Sequence, residues 1–138
     1  MRTYYDKENK FFIAKSGQLS YASQIWMILG GVVKGKEARD LLKRTAANSK
    51  MIKPRTPYLY HYCLEALHIC GENEKVKEVI EDYWGGMIHK GADTFWEVYD
   101  PSNDFLTPYK KGGDYDCLVN SYCHAWSCTP IYFLRKMK

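Results

Sequence analysis

The fold class of this chain is decided by residues 56–71, Thr56-Pro57-Tyr58-Leu59-Tyr60-His61-Tyr62-Cys63-Leu64-Glu65-Ala66-Leu67-His68-Ile69-Cys70-Gly71. Threonine followed by proline is a helix start, since threonine caps free N–H groups and proline fits the first helical position. Gly71 is a typical helix stop. Between these signals apolar side chains point in nearly every direction. The segment therefore predicts a helix over Pro57–Cys70 that is buried on several sides.

Two more helices are predicted before this segment. Apolar residues at helical spacing indicate a first helix from Leu19 to about Val33, which Gly30-Gly31 weakens near its end. A second helix over Glu37–Asn48 carries a single apolar stripe of Ala38, Leu41, Leu42 and Ala46. The residues before Gly17 predict either a short β-hairpin or an extended arm, which must pack on another element because an isolated hairpin is marginal.

Two further helices are predicted after it. A fourth helix begins at Asn73, and we expect Gly85-Gly86 to fray or bend it. Residues His89–Asp116 are polar and lack a sustained period, which indicates a long functional loop. A last helix is predicted over Val119–Lys138, interrupted or kinked at Pro130.

The order of these helices predicts an all-α fold. The first, third and fifth helices are apolar on several sides, whereas the second and fourth have one stripe each. This alternation is typical of helical hairpins with an inner and an outer member. The loops that enter the inner helices then gather at one end, where Glu97 and His124 are expected to meet.

Composition limits the classes of function. The chain has 138 residues with 46% hydrophobic and 26% charged residues, which predicts one folded domain over residues 1–138. A net charge of +4 without a basic stripe does not favour a nucleic-acid partner. No apolar run is long enough to cross a bilayer, and the first residues lack a signal-peptide pattern, so no membrane partner is expected.

The cysteines indicate a reducing compartment. Their odd number and the absence of a CxxC pair fit neither a disulfide framework nor a zinc knuckle. We therefore expect a cytoplasmic protein with reduced thiols, although one disulfide, and a periplasmic or secreted parent, remain alternatives. The five positions are Cys63, Cys70, Cys117, Cys123 and Cys128.

Two aromatic-rich motifs carry the candidate chemistry. The first is Gly91-Ala92-Asp93-Thr94-Phe95-Trp96-Glu97, and the second is Asn120-Ser121-Tyr122-Cys123-His124-Ala125-Trp126-Ser127. A carboxylate beside flat aromatic rings and an imidazole suits a sugar, because the rings cover its C–H faces and the polar groups bond its hydroxyls. Glycoside hydrolysis usually needs two carboxyl groups, however, and only Glu97 is a strong candidate.

These motifs, together with Tyr21-Ala22-Ser23-Gln24-Ile25-Trp26 and Tyr83-Trp84-Gly85-Gly86-Met87-Ile88, resemble the C-terminal part of bacterial α-L-rhamnosidases of glycoside hydrolase family 78. The resemblance covers most of the chain, and Thr94-Phe95-Trp96-Glu97 is its most specific part. It implies an inverting mechanism on an (α/α)6 barrel of twelve helices, with Glu97 as the general base. Only about five helices are predicted here, so the chain is expected to be the last part of such a barrel. A truncated or decayed gene would explain this, and the general acid would then be missing.

Each candidate residue has a simpler alternative. Glu97 alone would be an ordinary surface glutamate, and Trp96 and Trp126 are compatible with either sugar stacking or core packing. His124 is expected to bond a sugar hydroxyl, with a structural role as the alternative. A zinc site at Cys123, His124 and Cys128 lacks a further ligand at normal spacing, so we expect no metal or other cofactor.

Two functions follow from the sequence. The first is an inverting α-L-rhamnosidase-like glycoside hydrolase that acts on terminal rhamnose of a glycan or glycoside and is inactive as the isolated chain. The second is a non-enzymatic helical-hairpin module that binds a carbohydrate or protein partner. In either case exposed flanks of a partial barrel are expected to promote a homo-oligomer.

Overall fold

The computed structural model describes residues 4–14, 17–100 and 121–138 of the chain. Helices dominate these ranges, and the all-α prediction with a short N-terminal hairpin is confirmed. The elements are β1 (Tyr5–Asp6), β2 (Phe11–Phe12), α1 (Tyr21–Leu29), α2 (Gly35–Ala47), α3 (Pro57–Ile69), α4 (Asn73–His89), a 3-10 turn (Ala125–Ser127) and α5 (Thr129–Lys136). Within those ranges, no helix has both the length and the apolar character needed to span a bilayer.

The contacts group the chain into two compact units. The first unit comprises Met1–Pro54 and Tyr62–Glu72, and the second comprises Arg55–His61 and Asn73–Lys138. Helix α3 therefore contributes its first residues to the second unit and the remainder to the first.

In the first unit, an antiparallel hairpin packs on α1. Tyr5 pairs with Phe12, and Asp6 pairs with Phe11. Gln24 of α1 is fully buried, and its side chain bonds both the N–H and the carbonyl of Phe12, at 2.9 and 2.8 Å. One side-chain amide thus satisfies a backbone donor and a backbone acceptor on β2. Of the two predicted N-terminal structures, a hairpin or an extended arm, the hairpin is observed.

Helix α1 is shorter than predicted. Its helical spacing was expected to continue to about Val33, but the helix ends at Leu29 and Gly31 adopts a positive φ of 69°. Such a backbone conformation stops an α-helix and suits glycine. Val33 is still buried, although it lies in the connection rather than on the helix.

Helix α2 shows one error in the predicted stripe. Ala38, Leu41 and Leu42 are buried as expected, but Ala46 is exposed and Thr45 is buried in its place. The Thr45 hydroxyl donates to the carbonyl of Leu41 at 2.8 Å, so the polar group is satisfied within the helix. Thr45 is not an apolar residue type, so hydrophobic spacing alone does not identify it as buried.

The start and stop signals of α3 are confirmed. The N–H of Leu59 donates to Thr56 Oγ1 at 3.4 Å, and α3 begins at Pro57. Gly71 follows the helix with a φ of 78°. Cys63, Leu64, Ala66 and Leu67 are all buried.

Of the two predicted effects of Gly85-Gly86 on α4, fraying or bending, the fraying alternative is wrong. The helix continues through both glycines to His89. At Gly86, a Cβ atom would come within 2.6 Å of the Tyr99 hydroxyl. Glycine is therefore used at this position to admit an aromatic ring against the helix.

The prediction of a helix over Val119–Lys138, interrupted or kinked at Pro130, is also wrong for the described residues from 121 onward. Residues 121–124 are not helical, a 3-10 turn follows, and α5 begins at Thr129 with Pro130 in its first turn. Proline lacks a backbone donor and is tolerated at a helix start, so it begins α5 here instead of kinking it. Val119, Asn120, Cys117 and most of the predicted long loop lie outside the described residues.

Candidate active site

The two aromatic motifs lie side by side in the second unit. The N–H of Glu97 donates to the carbonyl of Ser121 at 2.8 Å, and the N–H of His124 donates to the carbonyl of Phe95 at 2.7 Å. A further bond joins the Thr94 hydroxyl to the carbonyl of Tyr122. Segments that are more than twenty residues apart in sequence are thus joined backbone to backbone.

Glu97 is held at three points. Besides its N–H bond, its carboxylate oxygen Oε2 accepts the N–H of Ser121 at 3.0 Å. Its backbone carbonyl accepts the indole N–H of Trp126 at 3.1 Å. The side chain is half-buried, and within the described part of the chain Oε1 has no hydrogen-bond partner. The arrangement orients the carboxylate by fixing its oxygen Oε2 to the backbone of Ser121.

His124 caps the turn that follows it. Its Nδ1 accepts the N–H of Trp126 at 3.4 Å, which makes it the N-cap of the 3-10 turn. The imidazole and the indole of Trp126 are stacked, with ring centroids 4.2 Å apart and an angle of 29°. His124 is therefore fixed by its neighbours while remaining partly exposed.

The two tryptophans differ in exposure. Trp96 is only 4% exposed and meets Tyr122 edge to face at 5.7 Å. This favours the packing alternative for Trp96, because a sugar needs an accessible ring face. Trp126 is 38% exposed and also contacts the ring of Tyr58 at 5.6 Å.

Two serines that the sequence does not single out, Ser127 and Ser121, bond residues of this site or next to it. Ser127 is fully buried, and both its carbonyl and its hydroxyl bond the indole N–H of Trp84, at 2.8 and 3.1 Å. Ser121 was missed as well, although its backbone makes two bonds to Glu97. Backbone bonds leave no residue-type signal, and a single serine beside a tryptophan is too common to stand out.

Tyr83 connects the site segment to Arg55, which lies just before α3. Its hydroxyl donates to the carbonyl of Arg55 at 3.1 Å and accepts the N–H of Tyr99 at 3.2 Å. Burial raises the pKa of the Tyr83 hydroxyl well above its usual value, so it stays protonated and can donate. The residues just after Glu97 are anchored in this way.

The remaining histidines and cysteines do not assemble a metal site in the described ranges, where no three ligand-type side chains cluster. His61 Nδ1 instead shares a hydrogen bond of 3.1 Å with the hydroxyl of Thr129. Cys63, Cys70, Cys123 and Cys128 are free thiols, the first two buried and the others exposed.

The fold and part of the sequence match a solved rhamnosidase from Klebsiella oxytoca, determined with rhamnose bound. The two share 40% sequence identity with a TM-score of 0.83, over 96% of this chain. A family 78 rhamnosidase from Bacillus sp. GL1 has the same fold over 97% of this chain, with a TM-score of 0.74 and 24% identity. The resemblance to the family 78 rhamnosidases is confirmed.

The chain spans only part of these rhamnosidases, 25% of the Klebsiella protein and 14% of the Bacillus protein. The helical-hairpin fold predicted from the sequence thus corresponds to a segment of a rhamnosidase. No protein-family model matches the chain, and a search of curated proteins found no match either.

Proposed function

We propose that this chain supplies the general base of an inverting α-L-rhamnosidase-like hydrolase acting on terminal rhamnose. The observation that carries the proposal is the triple anchoring of Glu97 against residues 121–126, in a chain 40% identical to a rhamnosidase. A carboxylate oriented by one fixed oxygen is suited to accept a proton from a bound water through the other oxygen.

The reaction assigns a separate task to each of two carboxyl groups. Glu97 Oε1 would take a proton from water as the water oxygen bonds the anomeric carbon of rhamnose. The glycosidic C–O bond breaks at the same time, and a second carboxylic acid protonates the leaving oxygen. The two groups of an inverting pair sit about 6.5–9.5 Å apart, which leaves room for the water.

We further propose that His124 bonds a hydroxyl of the rhamnosyl ring. Its ring is fixed by Trp126 and lies in the segment paired with Phe95 and Glu97. A hydrogen bond from a preoriented imidazole would contribute about 1 kcal/mol to sugar binding.

The general acid would come from the parts of a rhamnosidase that this segment does not cover. The chain corresponds to a quarter of the Klebsiella protein, so an acid elsewhere in a complete barrel is consistent with the match. On this basis the isolated chain binds rhamnose weakly and does not hydrolyse an aryl rhamnoside at an enzymatic rate.

A second candidate is a helical-hairpin module that binds a carbohydrate or protein without catalysis. It is favoured by the large apolar side chains that the structure leaves exposed, among them Ile88, Ile131 and Leu134. Such side chains are frequent at surfaces that meet a partner.

Titration of the chain with L-rhamnose, followed by NMR, tests the proposed sugar site. We expect rhamnose to shift the Glu97 and His124 resonances and D-glucose to leave them unchanged. His124→Ala should weaken binding about fivefold, the equivalent of one hydrogen bond of about 1 kcal/mol. His89→Ala, at an exposed position on α4, is the matched control and should bind as the native chain does. Absence of any rhamnose effect on Glu97 and His124 would refute the site.

A further inference from the structure

We infer that Trp126 is a positioning residue that holds Glu97 and His124 in place, and that it is not a platform for sugar stacking. The inference rests on the proposed function for the roles of Glu97 and His124. It reassigns the exposed tryptophan of the second motif, which the sequence alone associates with the face of a sugar.

Three parts of Trp126 contact Glu97 or His124. Its indole N–H bonds the carbonyl of Glu97 at 3.1 Å. Its backbone N–H bonds Nδ1 of His124 at 3.4 Å. Its ring face lies against the imidazole, with centroids 4.2 Å apart. One side chain thus links the candidate base and the candidate sugar ligand.

The backbone bond also selects the tautomer of His124. A neutral imidazole has one donor nitrogen and one acceptor nitrogen. Because Nδ1 accepts the N–H of Trp126, the proton of the neutral ring is on Nε2. His124 therefore presents an N–H donor from the nitrogen that points away from its own backbone, which suits a sugar hydroxyl oxygen.

The same contacts reduce the ring surface available to a sugar. The imidazole covers one face of the indole, and the ring of Tyr58 lies 5.6 Å away at an angle of 43°. A pyranose that stacked on Trp126 would have to displace or avoid these rings. Trp126 is 38% exposed, which we attribute to the edge of its ring, since the ring already contacts His124 and Tyr58.

The test is made on the 138-residue chain with nitrogen-15 NMR. We expect neutral His124 to be in the Nε2–H form. We also expect the indole N–H of Trp126 to exchange with solvent at least tenfold more slowly than that of Trp26, which is similarly exposed at 43%. An Nδ1–H tautomer, or equal exchange at the two indoles, would overturn the inference.

A pair of variants separates positioning from general stability. Trp126→Phe keeps a ring and the backbone N–H but removes the indole donor, so the amides of Glu97 and His124 should exchange at least fivefold faster. Trp26→Phe removes an indole elsewhere and should leave both amides unchanged. Unchanged exchange in Trp126→Phe, at an equal unfolding midpoint, would contradict the inference.

Rhamnose distinguishes this inference from the proposed function. Magnetisation transfer from rhamnose C–H protons to the Trp126 ring would establish stacking and overturn the positioning role. If rhamnose does not bind at all, the proposed sugar site fails, while the tautomer and exchange measurements still decide the role of Trp126.

Discussion

Gly86 allows the ring of Tyr99 to pack against α4 close to the candidate site. It lies inside α4, where glycine normally weakens a helix by about 1 kcal/mol relative to alanine. At this position, however, the buried ring of Tyr99 lies against the helix backbone. Tyr99 follows Glu97 by two residues, so the close approach at Gly86 helps to fix the chain that carries the candidate base.

Gly86→Ala should destabilise the protein by about 1–3 kcal/mol, because the new methyl group would overlap the Tyr99 ring. Gly85→Ala is the matched control, since a Cβ there meets nothing within 4 Å. It should be neutral or stabilising by up to about 1 kcal/mol. Urea denaturation measures both variants, and equal stability of the two would contradict this explanation of Gly86.

The burial of the Cys63 thiol predicts that the protein loses stability at alkaline pH. Burial raises the pKa of the Cys63 thiol to about 12 from a usual value of 9.0. The thiol of the unfolded chain ionises above pH 9 whereas the folded thiol does not, so its contribution to stability is complete below pH 9 and declines as the pH rises toward 12.

Unfolding of Cys63→Ala measured between pH 9 and 10.5 should therefore show a shallower pH dependence. The difference in slope should approach about 1.4 kcal/mol per pH unit for this one group. Cys123→Ala removes an exposed thiol and should keep the native slope. A slope in Cys63→Ala that equals the native one would show that Cys63 is not responsible.

At the residue scale, the sequence predicts the motif positions better than their roles. Glu97 and His124 stand out because each is a polar, ionisable residue within an aromatic-rich motif, and the structure places them in paired segments. The exposure of Trp126 and the burial of Trp96 depend on packing from distant residues, which no local pattern contains. Their functions remain predictions.

At the scale of elements, Gln24 explains why the N-terminal hairpin stays on α1. Its amide bonds Phe12 twice and also donates to the carbonyl of Ser20 at 3.0 Å. A two-stranded hairpin is marginal by itself, so these bonds and the packing of Phe11 are needed to hold it.

Gln24→Leu should lower the free energy of unfolding by about 1–3 kcal/mol, because it leaves backbone groups of Phe12 without partners. Hydrogen exchange at Phe12 should also become faster. Gln18→Leu makes the same substitution at an exposed position and should change stability by no more than about 0.5 kcal/mol. Slow exchange at Phe12 in Gln24→Leu would show that the hairpin is held by other contacts.

Helix boundaries marked by a local backbone signal were easier to predict than boundaries inferred from hydrophobic spacing. Thr56-Pro57 and Gly71 act through local backbone chemistry, and both signals are seen in the structure. The end of α1 and the start of α5 were misplaced because apolar spacing continues past Leu29 and before Thr129. In those places a left-handed glycine and a first-turn proline determine the boundary, and they outweigh hydrophobic periodicity.

At the scale of the whole molecule, the exposed apolar side chains indicate surfaces that are covered in a larger assembly. Ile131 and Leu134 of α5 are 50% and 52% exposed, on a helix whose Phe133 is fully buried. We propose that these flanks meet either the remainder of a rhamnosidase barrel or a second copy of the chain.

The isolated chain should therefore self-associate and bind an apolar dye. Light scattering should give a mass above the 16.1 kDa of one chain. Ile131→Gln combined with Leu134→Gln should reduce both the mass and the dye fluorescence, whereas Arg135→Gln on the same helix should not. A strictly monomeric native chain without dye binding would contradict the proposed flanks.

The proposed role of Glu97 as the general base of a rhamnosidase site can be tested in a chimera. This chain replaces the matching segment of the Klebsiella oxytoca rhamnosidase, which retains the rest of its own structure. The chimera should hydrolyse an aryl α-L-rhamnoside, and Glu97→Gln should lower kcat by about 10²–10⁴-fold with little change in KM. Glu81→Gln, at an exposed position on α4, should have no effect. If a folded chimera keeps its activity after Glu97→Gln, Glu97 is not the general base.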